Sequence, residues 1–220
     1  MTEIDRRLGV DDETVGERLA DVRNAVSEIG RTDVQIVAVT KGFDVSAVQA
    51  AKRLGLTQIG ENYAQELAEK SDEFDDLSVN FLGRIQRNKV RKVHEYVDLW
   101  QSVARPEILT EIAKRAPGAR VLIQIQPEGD DSKDGVRPEQ LDNMFELASE
   151  QGVEIAGLMT IGVHGDEDRT DQCFREVTAL ADEYKVMVRS MGMSGDYRLA
   201  LAAGSNMLRL GSTLFGPRPG

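Results

Sequence analysis

Short apolar runs alternate with amphipathic helical patterns along this chain, and this alternation constrains its fold more than any other feature. Several runs, such as Val121–Ile125, are almost continuously apolar, which is typical of parallel strands covered on both faces. The pattern therefore predicts an α/β protein with a parallel sheet. The predicted strands are Gln35–Thr40, Gln58–Gly60, Asn80–Ile85, Asp98–Val103, Arg120–Gln126, Ile155–Ile161, Val186–Met191 and Met207–Leu210.

Eight strands that alternate with helices predict a single-domain (β/α)8 barrel over residues 1–220. An open, doubly wound sheet is the structural alternative. A further amphipathic helix over Asp11–Gly30, before the first strand, is expected to cover the bottom or the side of the barrel. Its apolar stripe consists of Val15, Leu19, Val22, Val26 and Ile29.

The composition limits the classes of partner. The formal net charge of −11 disfavours nucleic acid, because an acidic surface repels phosphate backbones. No apolar run approaches the roughly 18 to 20 residues of a membrane span, and the N-terminus lacks a secretory signal pattern. Cys173, the only cysteine, suits a reducing compartment. We therefore expect a cytoplasmic protein without nucleic-acid or membrane partners.

Lys41 directly follows the first predicted strand. The carboxyl end of a barrel strand is the ligand-binding face, so this side chain is expected to point into the mouth of the barrel. Partial burial there would lower the pKa of the amine and favour the neutral, nucleophilic form needed for imine formation. A solvated lysine after a strand is the alternative.

Glu61 and Asn62 end the second predicted strand and precede a helix. The amide of Asn62 is suited to a phenolate oxygen or another ring substituent. Glu61 is either a site residue or an acidic residue at a helix N-terminus, where the helix dipole favours it.

Glycine and serine residues follow the seventh and eighth predicted strands. Barrels often bind phosphate between these two loops, with backbone N–H groups and hydroxyls as donors. Arg209, on the eighth strand, is expected to face the barrel axis and to hydrogen-bond a ring nitrogen. Two ordinary turns with a structural ion pair are the alternative. The candidate phosphate-binding residues are Ser190, Ser194, Gly211 and Ser212.

These residues lie in motifs that resemble those of the pyridoxal 5′-phosphate (PLP) homeostasis proteins, the YggS family, called PLPBP or PROSC in animals. The resemblance extends from about Val34 to Arg218, and Ser190–Asp196 is its most distinctive motif. The other motifs are Ala38–Lys41, Gly60–Tyr63, Phe81–Gly83 with Gln86–Lys89, Gly157–Met159, and Arg209–Ser212 with Phe215–Gly216.

The resemblance implies a barrel of PLP fold type III, like the N-terminal domain of alanine racemase. It implies that Lys41 holds PLP as a Schiff base, with Asn62 near the ring and Arg209 near the pyridine nitrogen. It also implies a role in PLP storage, buffering or delivery without catalytic turnover, with apo-PLP enzymes as partners. The phosphate-binding positions of the family correspond to Ser190, Ser194, Gly211 and Ser212.

A PLP-dependent amino-acid racemase is the main functional alternative. Fold-type-III racemases carry a second β-domain after the barrel, whereas this chain ends at Gly220, soon after the eighth strand. We therefore expect a monomeric carrier rather than an enzyme. A barrel enzyme that binds a sugar phosphate without PLP is a second alternative.

The chain departs from the family pattern at positions expected near the barrel mouth. Asn80 stands where many members have histidine, and Arg84 where proline, histidine or glutamine is commoner. Asp134 takes a position that usually holds a small residue such as serine. His164, after the sixth strand, is a further residue near the expected mouth.

Overall fold

Eight parallel strands close into a barrel, which confirms the predicted fold and excludes the open sheet. The computed structural model describes residues 10–126 and 134–218. The strands are β1 (Gln35–Val39), β2 (Gln58–Glu61), β3 (Ser78–Phe81), β4 (Leu99–Val103), β5 (Arg120–Gln124), β6 (Glu154–Met159), β7 (Val188–Ser190) and β8 (Met207–Leu210). Each strand pairs with the next, and β1 closes the barrel against β8, with Val37 opposite Arg209.

Helices cover the outside of the barrel. They are α1 (Asp12–Glu28), α2 (Val45–Arg53), α3 (Ala64–Lys70), α4 (Arg87–Val93), α5 (Pro106–Arg115), α6 (Leu141–Gln151), α7 (Glu167–Glu183), α8 (Tyr197–Ala202) and α9 (Ser212–Phe215). Short 3-10 helices span Ser71–Glu73 and Pro138–Gln140. No helix in the described ranges is long and apolar enough to cross a membrane.

The additional helix α1 lies along the side of the barrel, beside α2 and α9. It begins after Asp11 because the carboxylate of this N-cap residue accepts a hydrogen bond from the Thr14 N–H at 3.0 Å. Arg18 ties it to α9 by donating to the Leu214 carbonyl at 3.1 Å. Since α9 has only four residues, α1 supplies the apolar cover that this part of the barrel needs. Its buried side chains are Val15, Leu19, Val22 and Ala25.

The apolar stripe of α1 is shorter than predicted. The helix ends at Glu28, and Ile29 is its C-cap residue. Because Ile29 lies past the helical turn that faces the core, its side chain is 42% exposed. The assignment of Ile29 to the buried stripe is therefore wrong.

Strand β3 ends four residues before the predicted boundary at Ile85. The chain bends at Gly83, where an added Cβ would lie 1.9 Å from the backbone oxygen of Asn62. Ser102 holds this bend, since its Oγ donates to the Gly83 carbonyl at 2.5 Å. Ile85 is buried in the following loop. In the sequence this buried apolar residue therefore looks like part of the strand, which explains the predicted boundary.

Candidate functional site

Lys41 follows β1 with only Thr40 between them, at the carboxyl end of the strand, and is partly buried. Burial lowers the pKa of its amine, and the nearby positive charges of Arg218 and Arg209 lower it further. The carboxylates of Glu61 and Glu66 oppose this shift in part. The amine therefore has a larger neutral fraction than an ordinary lysine, and the neutral form is the one that attacks a carbonyl carbon.

Arg209 extends from β8 into the barrel interior and is buried. Its Nη1 donates to the O and Oγ atoms of Ser190, at 2.6 and 2.7 Å, and its Nη2 donates to the Thr160 carbonyl at 2.8 Å. Burial lowers the pKa of the guanidinium to about 10, with Asp196 opposing the shift, so the group stays charged near neutral pH. These three acceptors are neutral, and a buried cation that is hydrogen-bonded to neutral groups favours an electron-rich or anionic ligand.

Ser190 is fully buried below the mouth and belongs to a chain of polar side chains inside the barrel. Its Oγ accepts from Arg209 and donates to Gln101 Oε1 at 2.7 Å. The hydroxyl proton is thus directed at Gln101, which differs from the predicted role of this hydroxyl as a phosphate donor. Gln101 in turn donates to Asn80 Oδ1 at 2.7 Å.

Asn80 lies inside the barrel rather than at its mouth, because the residues of β3 alternate between the two faces of the sheet. Its Nδ2 donates to the Ile59 carbonyl at 3.1 Å and to Gln58 Oε1 at 3.2 Å. The expectation that Asn80 is a mouth residue is therefore wrong. Its amide instead continues the polar chain that begins at Arg209.

The loops after β7 and β8 meet, as the phosphate-site prediction requires. The Thr213 N–H donates to Ser194 Oγ at 3.0 Å, which joins the loop after β7 to α9. Gly211 is the N-cap residue of α9, and Ser212 is its exposed first residue. The structure thus brings Ser194, Gly211 and Ser212 to the same end of the barrel as Lys41.

Asn62 follows β2 and presents a polar atom that nothing in the described part of the chain satisfies. Its Oδ1 is buried and has no hydrogen-bond partner there. Leaving such an atom unpaired costs free energy, and a native structure tolerates it where a ligand completes the pairing. Asn62 thus joins Lys41 and Arg209 as a residue whose environment points to a bound group.

Glu61 is a buried residue at the end of β2 and takes no part in capping a helix. Tyr63 is the N-cap residue of α3, so the helix-terminus interpretation of Glu61 is wrong. Its Oε1 lies 2.7 Å from Lys70 Nζ and accepts from Thr40 Oγ1 at 2.6 Å. Burial raises the pKa of Glu61, whereas the charge and the hydrogen bond of Lys70 lower it.

His164 is exposed and lines a cavity of about 1030 Å³ between the loops after β6 and β7. Asp196 and Tyr197 form part of the opposite wall. Lys41 and Arg209 do not line this cavity, one wall of which is the loop after β7.

The sequence reasoning missed several residues that contact the candidate site residues or act on their charge, among them Gln101, Arg218, Glu66 and Lys70. Gln101 and Arg218 have no local signal, because each reaches the site from a distant strand or loop. Glu66 and Lys70 do have one: they stand four residues apart on one helix, the spacing of a side-chain ion pair. That spacing predicts a salt bridge but not its position against β1.

Comparisons with known proteins agree with this geometry. The family model described as "Alanine racemase, N-terminal domain" matches residues 7–219. The pyridoxal phosphate homeostasis protein of Deinococcus radiodurans is 34% identical over 206 residues, which cover 90% of this chain and 97% of that protein. The protein of the same name from Vibrio cholerae is 34% identical over 218 residues, covering 90% of this chain and 92% of that protein.

Solved structures show the same similarity. PipY of Synechococcus elongatus PCC7942, solved with PLP bound, matches with a TM-score of 0.82 and 30% identity, over 92% of this chain and 100% of that one. The alanine racemase of Clostridium difficile 630 matches with a TM-score of 0.79 over 96% of this chain and 59% of that one. At 16% identity, the racemase match establishes the fold alone. The chain therefore belongs to the family of pyridoxal phosphate homeostasis proteins, whose barrel is that of the alanine racemase N-terminal domain.

Proposed function

We propose that this chain binds PLP covalently through Lys41 and takes part in PLP homeostasis, by storing, buffering or delivering the cofactor. The observation that carries this proposal is the Lys41 amine, partly buried at the carboxyl end of β1 with a lowered pKa. The relatives named for PLP homeostasis and the PLP-bound PipY structure support it. When bound, PLP supplies an aldehyde that a lysine amine attacks and a ring that withdraws electrons.

The other candidate residues fit the remaining parts of this cofactor. The amide of Asn62, whose buried oxygen has no partner among the described residues, offers its NH2 group as a donor to the phenolate oxygen of the ring. Arg209 offers a charged donor to the ring nitrogen and keeps that nitrogen unprotonated, because the guanidinium does not give up its own proton near neutral pH. Ser190 orients Arg209 through two hydrogen bonds. We assign phosphate binding to the backbone N–H groups and hydroxyls of Ser194, Gly211 and Ser212.

The proposed role is that of a carrier without catalytic turnover. A racemase needs an acid and a base on opposite faces of the substrate α-carbon. Of the four tyrosines, Tyr96 follows α4 and Tyr184 follows α7, so both lie at the end of the barrel opposite to Lys41. Tyr63 and Tyr197 begin α3 and α8 at the same end as Lys41, but Tyr63 is 50% exposed and Tyr197 lines a cavity that Lys41 does not line. Tyr184 is also unsuited to proton transfer, since its hydroxyl donates to Asp142 at 2.7 Å and this bond raises its pKa to about 12.

We further propose that the carrier is a single-domain, monomeric protein of the cytoplasm that passes PLP to apo-PLP enzymes. The acidic composition and the single cysteine support this location. Transfer is tested by holding PLP-loaded protein and an apo-enzyme either in contact or on two sides of a dialysis membrane. Faster activation of the apo-enzyme in contact supports direct delivery, and equal rates contradict it.

Absorbance and reduction test the covalent attachment. The purified protein with added PLP should be yellow, and borohydride followed by mass spectrometry should place the cofactor on Lys41. Lys41→Ala should lose both signals and keep the fold, while the control Lys89→Ala, which removes another lysine at the start of a barrel helix, should keep both. Stoichiometric cofactor on another lysine would overturn the assignment.

Incubation with amino acids tests the absence of turnover. With L-alanine or L-serine we expect no D-isomer above background. Steady formation of the D-isomer at about 1 per second or faster, an ordinary enzyme rate, would contradict the carrier role and indicate a racemase.

A further inference from the structure

Both peptide groups that flank Lys41 are bonded to side chains of one helix, α3. On the N-terminal side, Lys70 Nζ donates to the Thr40 carbonyl at 2.9 Å. On the C-terminal side, the Gly42 N–H donates to Glu66 Oε2 at 2.7 Å. Lys70 and Glu66 are themselves paired at 3.3 Å, one helical turn apart. The backbone that carries Lys41 is therefore held on both sides by two side chains that also hold each other.

The Lys70 side of this arrangement is deeply buried. Lys70 is only 7% exposed and Glu61, its second partner at 2.7 Å, is 0% exposed. Buried lysine and glutamate are rare unless paired, and burying such a pair gains little or no stability over an apolar pair of the same shape. Stability of the barrel alone is therefore a poor reason for a charged pair at this position, next to the end of β1.

The backbone at Gly42 is also unusual. Its φ of +73° is in the left-handed region, which a glycine adopts without strain. An added Cβ would lie 2.9 Å from Cδ of Arg218, whose charge also acts on the Lys41 amine. The backbone conformation after Lys41 thus favours glycine, and the Glu66 carboxylate accepts a hydrogen bond from the N–H group of this glycine.

We propose that Lys70 and Glu66 are positioning residues for Lys41: they fix the peptides on both sides of it, and so hold its amine where the cofactor is attached. The inference rests on the proposed function, which it deepens. Neither residue needs to touch the cofactor. Their effect is entropic and geometric, because a lysine on a mobile turn would lose conformational freedom when it forms the covalent bond.

The charges around Lys41 come from several elements. Positive groups are Arg209 on β8, Arg218 after α9, and Lys70 on α3; negative groups are Glu61 on β2 and Glu66 on α3. Glu66 thus has two separable effects, a hydrogen bond to Gly42 and a charge near Lys41. Glu66→Gln keeps an acceptor oxygen and removes the charge, whereas Glu66→Ala removes both.

The test uses four variants of the full chain. Glu66→Ala and Lys70→Met break the two sides of the arrangement, and Glu66→Gln is the conservative variant. Glu69→Gln is the matched control, because Glu69 lies on the exposed face of the same helix, bonded only to Gln65 at 2.9 Å among the described residues. Since Lys70→Met leaves Glu61 buried without its partner and can unfold the protein, Glu66→Ala, at a residue 27% exposed, keeps the proposal testable.

Three measurements are made on each variant. Two use the protein without PLP: hydrogen exchange of the Gly42 amide, and trace acetylation of Lys41 against pH, quantified by mass spectrometry. The third is the dissociation constant for PLP. For Glu66→Ala we expect Gly42 to exchange about tenfold faster or more and PLP to bind about tenfold more weakly, the effect of one charged hydrogen bond.

Glu66→Gln should recover most of the Gly42 protection while shifting the acetylation profile of Lys41 to lower pH, because it removes a carboxylate that favours the charged amine. If Glu66 and Lys70 only stabilised α3, Glu66→Gln would neither shift the acetylation profile of Lys41 nor restore the protection of the Gly42 amide. The proposal is overturned if Glu66→Ala matches Glu69→Gln in Gly42 exchange and in the Lys41 profile. If wild-type protein does not bind PLP at all, only the proposed function fails, since these two readouts need no cofactor.

Discussion

Arg84 and Asp134, fifty residues apart in the chain, form a two-point ion pair, with 2.6 Å between Nε and Oδ2 and 3.4 Å between Nη2 and Oδ1. Arg84 lies in the loop after β3 and Asp134 lies after β5, so the pair joins two loops at the carboxyl face of the barrel. In this contact each residue supplies the counter-charge of the other.

We expect this pair to contribute little to stability. The side chains are 63% and 36% exposed, and such pairs are worth about 0.2–1 kcal/mol. Arg84→Ala should therefore lower the free energy of urea unfolding by less than about 1 kcal/mol. A double-mutant cycle with Asp134→Ala measures the coupling, which should disappear at about 1 M salt, where the screening length is short. A coupling that persists in high salt would contradict this prediction.

Replacing Arg209 should weaken both the fold and PLP binding. Arg209→Gln leaves the Thr160 carbonyl or the Ser190 acceptors without a donor inside the barrel, so unfolding should become easier by about 1–3 kcal/mol. PLP affinity should fall at least about tenfold. Arg209→Lys keeps the charge but loses the planar set of guanidinium donors. Its stability and its PLP affinity should therefore lie between those of wild type and Arg209→Gln. Denaturant titration and PLP titration check the two effects separately. Unchanged PLP affinity in Arg209→Gln would remove Arg209 from the cofactor site.

Gly83 should tolerate no side chain. Its added Cβ would lie 1.9 Å from the Asn62 backbone oxygen, and a backbone atom cannot rotate away as a side chain can. Gly83→Ala should therefore destabilise the protein by about 1–3 kcal/mol and displace Asn62. The control is Gly195→Ala, in another loop at the same end of the barrel, where an added Cβ has no neighbour within 4 Å. Equal melting temperatures for the two variants would show that the bend at Gly83 is not close-packed.

The lowered pKa of Lys41 predicts how stability depends on pH in the protein without PLP. The unfolded chain binds a proton at Lys41 more tightly than the folded chain, so the contribution of Lys41 to stability rises as pH rises from the folded to the unfolded pKa. At pH values below that window the amine is charged and partly buried in the folded protein, which lowers the free energy of unfolding. Lys41→Met should therefore be more stable than wild type at neutral pH, and the difference should shrink as the pH approaches the ordinary lysine pKa.

Urea unfolding of wild type and Lys41→Met across this pH range measures the difference. Lys52→Met, which removes a lysine near the C-terminal end of α2, is the control for the loss of one lysine charge. A Lys41→Met protein that is less stable than wild type at neutral pH would mean that Lys41 makes favourable contacts that outweigh its desolvation.

Periodicity and strand ends in the sequence predicted the barrel, the order of its strands and the position of Lys41 at the mouth. These features depend on local patterns: apolar runs define the strands, and parallel strands place their carboxyl ends at one face. The same logic predicted that the loops after β7 and β8 meet, as the bond between Ser194 and Thr213 confirms.

Tertiary structure alone decided which polar atoms pair. The Ser190 hydroxyl turns towards Gln101, Asn80 faces the interior, and Glu61 pairs with Lys70 rather than capping a helix. None of these follows from spacing along the chain, because each depends on the register of neighbouring strands and on the depth at which a side chain is buried. Local patterns place a residue on an element and a face, whereas the free-energy cost of an unpaired buried polar group selects its partner, often many residues away.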